Sequence, residues 1–231
     1  VRGATYWDPL ATFGYLAAHT TTIGLATFVL VLGYHHPLAI VKRYGTLDRV
    51  SGGRLILGVG VGSLHEEFDL LDAPFDDRGE RGDDAIRALR AAFGRLEPEY
   101  DGSHYSFRDF VVDPPSVQTD VPIWIGGSTA RSLRRAVELA DCWSPFALGS
   151  DDIQRMLAGA RQTDAWERRE KPLEVILQSS RPLDPLSEPD TVREVLDRQR
   201  NAGATGLAAR FVHHSADHYC EQLAALQEVT S

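Results

Sequence analysis

Ser51-Gly52-Gly53-Arg54-Leu55-Ile56-Leu57-Gly58-Val59-Gly60-Val61-Gly62 is the stretch whose reading decides the fold. A glycine pair ends one element, an apolar strand follows, and glycines take alternate positions where that strand ends. Side chains alternate across a strand, so Gly58, Gly60 and Gly62 share one face. Missing side chains along one face admit either a ligand or another stretch of backbone at close range. Tight packing inside a barrel is the plain reading of the same pattern. Trp124-Ile125-Gly126-Gly127-Ser128-Thr129 repeats the arrangement, with an apolar strand, glycines and then the start of a helix. Strands ending in this way point to one shared ligand site.

Outward from this stretch, strands and helices alternate. Residues 9–19 read as a helix with Asp8 as N-cap and Pro9 in its first turn. Thr22 to Leu32 is β-branched and apolar, as a strand covered on both faces should be. Pro37 starts a helix that runs to about Val50 and is closed by Gly52 and Gly53. Arg54 to Val61 is the next buried strand. Leu64 to Leu71 is helical, residues 74–82 form a polar connection, and Asp83 to Phe93 is a stronger helix with Ile86, Leu89 and Phe93 at helical spacing. Residues 97–120 break the rhythm: Asp101-Gly102, the alternation His104-Tyr105-Ser106-Phe107 and Pro114-Pro115 suggest a small hairpin.

Further strands are expected at 122–125, 141–144, 173–179 and 207–212, and helices at 129–139, 151–162, 191–202 and 216–227. This alternation means a parallel α/β sheet of six main strands. Such sheets bind ligands beyond the carboxyl ends of their strands, where both glycine clusters lie.

The chain has 231 residues, 43% of them hydrophobic, enough for one large core. Its formal charge of −9 argues against binding nucleic acid or an anionic membrane, though a local basic cluster could still hold an anionic small ligand. Cys142 and Cys220 stand far apart without metal spacing, which suits a reducing, cytoplasmic compartment. No apolar run approaches the roughly 20 residues needed to span a bilayer. The chain does not begin with Met, and its pattern starts inside an element, as a fragment's would.

The motifs each have a plain reading beside a functional one. Gly58-Val-Gly60-Val-Gly62 is not the dinucleotide fingerprint, because position 63 is Ser. Ser128 can cap the helix that follows, whose free N–H groups would face a phosphate, with Arg131 in its first turn. Arg134 and Arg135 read as solvated. An ordinary capped helix explains the same residues. The adjacent pairs His35-His36 and His213-His214 diverge, so no metal site is expected. A histidine after a strand could instead donate a hydrogen bond to a cofactor or substrate. Glu66 and Glu67 suit the helix dipole, or a proton-transfer role.

Taken together, these residues resemble the bacterial-luciferase-like superfamily, in particular its branch dependent on the deazaflavin coenzyme F420. The matching text is Thr46-Leu47-Asp48-Arg49-Val50 continuing through Gly62, with Glu66-Glu67-Phe68, Pro74-Phe75, Arg78 and Arg81. Pro122-Ile123-Trp124-Ile125-Gly126-Gly127 and Ala140-Asp141-Cys142-Trp143 complete it. The resemblance implies a TIM (β/α)8 barrel forming a single domain over 1–231, with an insertion at about 97–120. It implies a flavin or deazaflavin across the carboxyl ends of the strands. A non-proline cis peptide is implied at Phe28-Val29, where a bulge would support the ring. Gly60, Val61, Gly62 and Ser63 match the loop near the cofactor tail, and Gly126, Gly127, Ser128 and Thr129 the phosphate-side loop.

Departures from the family pattern matter too. The family would place further strands and a helix before residue 8, so the N-terminal strands are expected to be missing here. The catalytic group is expected to lie with them. Cys142 stands where a glycine is usual. The reading implied is an oxidoreductase that moves a hydride between reduced F420 and a small organic substrate. An FMN-dependent monooxygenase and a non-catalytic flavin-binding protein are the alternatives. A homodimer is the expected assembly, without nucleic-acid or membrane partners.

Overall fold

The computed structural model describes residues 6–230; residues 1–5 and 231, included in the expected domain, lie outside that range. The chain divides into two compact units, the first ending at Gly126 and the second beginning at Gly127.

In the first unit, α1 (Pro9–His19) begins as expected, with the Asp8 carboxylate accepting from the Ala11 N–H at 2.8 Å. The expected strand over 22–32 is two short segments instead, β1 (Leu25–Ala26) and β2 (Leu30–Val31), and a bend at 27–29 separates them. The Phe28–Val29 peptide within that bend is cis, as the resemblance implies. After a short 3-10 turn, α2 (Pro37–Ser51) ends at Gly52, which takes a left-handed φ of 72°. β3 (Leu55–Gly60) runs parallel to β1, to β2 and to β6 (Ile123–Gly126).

Alternation along β3 sorts its two faces. Leu55, Leu57 and Val59 are buried, as are Ile123 and Ile125 beside them. Gly58 and Gly60 point to the opposite face, with Trp124 in register with Gly58.

The Asp48-Arg49 and Arg54 motif has a mechanical explanation. Asp48 is fully buried near the end of α2 and accepts from the Gln118 amide N–H at 2.9 Å and its Nε2 at 2.7 Å. The Arg54 guanidinium caps the last turn of α1, donating to the carbonyls of Ala17 at 3.1 Å and Thr20 at 3.0 Å. A cation at a helix C-terminus satisfies carbonyls that lack intrahelical donors.

After the short α3 (His65–Leu70) comes α4 (Arg78–Ala92), which starts five residues earlier than Asp83. The polar connection is therefore shorter than expected. Gly79 and Gly82 read as loop residues, but both are buried in the helix. The excursion is a hairpin as expected, with β4 (Tyr100–Asp101) antiparallel to β5 (Ser106–Phe107).

The second unit holds α5 (Ala130–Leu139), β7 (Cys142–Ser144), α6 (Ser150–Ala160), β8 (Glu174–Gln178), α8 (Pro189–Asn201), β9 (Gly206–Ala208) and α9 (Ala216–Thr230). Between α6 and β8 lies a short helix, α7 (Asp164–Glu167), absent from the sequence reading. β7, β8 and β9 pair in parallel. Leu183, Val192 and Phe211 form a buried cluster under α8 and α9. No helix among the described residues is long and apolar enough to cross a membrane.

Candidate functional site

The glycine face of the first unit is occupied by the chain itself. A Cβ added at Gly58 would run into the Thr27 carbonyl. One added at Gly60 would lie 3.1 Å from Val29 Cγ2, and one at Gly126 would lie 3.0 Å from Val29 Cγ1. Of the readings open in the sequence, close approach of another backbone is the one realised at Gly58. At Gly60 and Gly126 the neighbour is the Val29 side chain, which sits as a wedge over the carboxyl ends of β3 and β6. The buried Thr27 hydroxyl locks the bend by donating to the Gly58 carbonyl at 2.7 Å. Above this seat Phe28 and Val29 stay open, 48% and 39% exposed.

Gly62 serves a different neighbour. It has φ of 82°, and an added Cβ would lie 2.6 Å from the ring of Phe68. Phe68 is fully buried and meets Tyr34 and Phe75 edge-on, at centroid distances of 4.9 and 5.2 Å. Arg78 stacks on Phe75, its guanidinium carbon 3.7 Å from the ring centroid, and donates to the Gly62 carbonyl at 3.2 Å. Loop 60–63 is thus pinned at Gly62. Val61 packs onto the spot that Gly82 leaves vacant, and Ser63 is exposed.

Charge near this loop is paired. The Tyr34 hydroxyl donates to Glu67 Oε2 at 2.6 Å. Burial and then this carboxylate push the phenol up to about 12, so Tyr34 holds its proton at neutral pH. The Arg81 Nε donates to both Asp77 carboxylate oxygens, at 2.8 and 2.7 Å, which keeps Asp77 below the ordinary carboxylate value. The Tyr34–Glu67 pair escaped the sequence reading because its members lie 33 residues apart, and Asp77–Arg81 because residues 74–82 read as a connection rather than a helix start. The only signal was the presence of Glu67, Arg78 and Arg81 in the matching text.

In the second unit the head of α5 departs from expectation. Thr129, not Ser128, is the N-cap: its Oγ1 accepts from the Ser132 N–H at 3.2 Å, and Ser132 Oγ accepts from the Thr129 N–H at 3.2 Å. This is a capping box with serine at its third helical position. Ser128 is half-buried just before it. Gly127 has φ of 137°, and a Cβ there would lie 2.8 Å from Ser132 Cβ. Arg131 is exposed, as is Arg134, which faces Glu138 at 3.9 Å. Arg135 is only 3% exposed, against the expectation of a solvated face, because it sits on the same stripe as Ser132 and Ala136. Cys142 is buried, and burial pushes its thiol up to about 12.

The histidines take local roles. His36 caps α2, its Nδ1 accepting from the Leu38 N–H at 3.2 Å. His35 is partly buried, and burial, followed by the Arg43 charge, holds its pKa below the ordinary value. His213 Nδ1 lies 2.9 Å from the Phe211 carbonyl, and the His214 ring lies 4.2 Å from that of His218. Among the described residues no group of three or more His, Cys, Asp or Glu side chains is arranged to hold a metal ion.

Comparison with known proteins fits this architecture. The family described as luciferase-like monooxygenase matches residues 2–228, and the chain belongs to it. An uncharacterized protein of Mycobacterium tuberculosis is 31% identical over 160 residues, covering 69% of this chain and 55% of its own length. An F420-dependent glucose-6-phosphate dehydrogenase of Microbacterium testaceum is 32% identical over 138 residues, covering 58% of this chain and 40% of that protein. An FMNH2-dependent dimethylsulfone monooxygenase of Pseudomonas putida is 27% identical over 110 residues, covering 46% and 30%.

The chain spans about half the length of the first of these relatives. Among solved structures, the monooxygenase RslO1 of Streptomyces bottropensis superposes with a TM-score of 0.81 at 20% identity, covering 96% of this chain and 81% of that one. The coenzyme F420-dependent tetrahydromethanopterin reductase of Methanopyrus kandleri gives 0.67 at 17% identity, covering 96% and 79%. The fold is that of the luciferase-like TIM-barrel proteins. Relatives include users of F420 and of FMNH2.

Proposed function

We propose that this chain is part of an F420-dependent oxidoreductase that transfers a hydride between the reduced deazaflavin and a small organic substrate. The observation that carries the proposal is the Val29 wedge on its glycine seat, which leaves an apolar, open surface at the carboxyl ends of β3 and β6. Support for F420 comes from the glucose-6-phosphate dehydrogenase relative, at 32% identity.

The residues present fit such a group. In the first unit, Phe28 and Val29 would bear one face of the ring, and Gly60, Val61, Gly62 and Ser63 would line its tail. Loop 60–63, pinned by Phe68 and Arg78, would keep that shape without needing the ligand to order it. Gly126 closes the first unit, and in the second Gly127, Ser128 and Thr129 stand at the head of α5, where a phosphate would be received. There the capping box consumes the Thr129 and Ser132 N–H groups, and the Ala130 and Arg131 N–H groups have no intrahelical acceptor. A bound, reduced deazaflavin supplies the hydride, and the protein supplies position and electrostatics. The Tyr34 hydroxyl, bonded to Glu67, ties that carboxylate to the turn before α2.

The second reading is an FMN-dependent monooxygenase, supported by the FMNH2-dependent dimethylsulfone monooxygenase relative at 27% identity. Both cofactors carry a phosphate on a ribityl chain, so the loops serve either. Titrating the protein separately with F420 and with FMN, followed by fluorescence, decides between them. The proposal expects tighter binding of F420. FMN binding without measurable F420 binding overturns it for the second reading, and binding of neither overturns both.

A further inference from the structure

We infer that Trp143 is a positioning residue for loop 127–129, and that its indole N–H sets how well that loop holds a phosphate. The inference rests on the proposed reading of this loop as the phosphate side. Trp143 lies on β7 and is fully buried. Its Nε1 donates to the Gly127 carbonyl at 3.1 Å and reaches Ser132 Oγ at 3.3 Å. A buried indole N–H needs an acceptor, and this one finds both of its acceptors on a single loop and cap.

The contacts form a closed circuit. Gly127 holds a φ of 137°, open to glycine alone, and its carbonyl takes the indole N–H. The Ser132 hydroxyl donates to the Thr129 carbonyl at 2.7 Å while it accepts from the Thr129 N–H. Each group that fixes the turn is therefore anchored to Trp143 directly or through Ser132. With the turn fixed, the Ala130 and Arg131 N–H groups keep one direction, and no ordering cost falls on an arriving anion. In the sequence, Trp143 stands out only as the last residue of Ala140-Asp141-Cys142-Trp143 in the matching text.

Bulk and hydrogen bonding can be separated. Trp143→Phe keeps an aromatic ring in the core and removes the N–H. Dissociation constants are measured by fluorescence for FMN and F420, and for riboflavin and the phosphate-free deazaflavin core. The ratio within the FMN and riboflavin pair reports the phosphate alone, and the deazaflavin pair reports the phosphate together with the tail it carries. The variant is expected to bind the phosphorylated members about tenfold more weakly, with the phosphate-free members unchanged.

Ser132→Ala is expected to lower the same ratio, and the double variant to lose less than the product of the single losses. Ser132→Ala also carries the test if Trp143→Phe fails to fold by circular dichroism. Equal weakening of both members of a pair makes Trp143 a core-packing residue and overturns the inference, as does a wild-type ratio in a folded variant. A wild-type protein that binds both members equally overturns the phosphate reading of the loop itself.

Discussion

Gly58 and Gly60 differ by one turn of the pleat, but their constraints are unlike. A methyl group at Gly58 meets the backbone carbonyl of Thr27, which cannot rotate away, whereas one at Gly60 meets a methyl of Val29 at 3.1 Å. Backbone obstruction forces a shift of the strand; side-chain obstruction asks for a small adjustment. Gly58→Ala is therefore expected to cost about 3 kcal/mol of stability, and Gly60→Ala less than about 1 kcal/mol. Urea denaturation of both variants measures this, and equal costs would refute the seat as described. The glycine pattern itself was legible in the sequence, since alternation needs only the strand period. What filled the glycine face was not: the resemblance implied a bulge at Phe28-Val29, but no local pattern shows that Val29 reaches Gly60 and Gly126 through it.

At the scale of elements, a buried carboxylate of α4 tethers the hairpin β4–β5. Asp84 is 3% exposed and accepts from the amides of His104 at 2.7 Å and Tyr105 at 3.0 Å, and from the Tyr100 hydroxyl. Burial alone would raise its pKa, but the Tyr100 hydroxyl and these amides outweigh burial and hold it below the ordinary value. The unfolded chain then takes up the proton first, so the stabilisation is present above about pH 4 and is lost as pH falls further.

Asp84→Asn should cost about 1–3 kcal/mol and speed hydrogen exchange at His104 and Tyr105. The drop in wild-type protection as pH falls below about 4 should flatten in the variant. Unchanged exchange at those amides would count against the tether. The hairpin was readable from Asp101-Gly102 and the period-2 alternation that follows. The early start of α4 was not, because glycine at 79 and 82 signals a loop. Here Gly82 is spent on close packing, its missing side chain leaving room for Val61.

For the whole molecule, strand–helix alternation was enough to give the parallel α/β class, because each buried strand and each amphipathic helix announces its own period. The family followed from text spread along both units. The cofactor did not, since a phosphate loop looks the same for either candidate and the residues that touch a ring are set by three-dimensional proximity. Global integrity has a simple readout in the two cysteines. Cys220 is exposed, while Cys142 is buried with its thiol pushed up to about 12. A thiol reagent at pH 8 should label Cys220 alone in the native protein and Cys142 only after denaturation. Rapid native labelling of Cys142 would show that the second unit opens readily.

The bend at residues 27–29 carries a consequence for variation. Its surface rests on side-chain methyl groups, and the backbone beneath them is fixed by Gly58 and the Thr27 hydroxyl. The height of that surface can therefore be retuned by a single codon. Val29→Ala would thin the wedge and Val29→Ile would thicken it, while the Thr27–Gly58 bond beneath does not involve that side chain. A chain built this way can adjust its fit to a flat ring in steps of one methyl group.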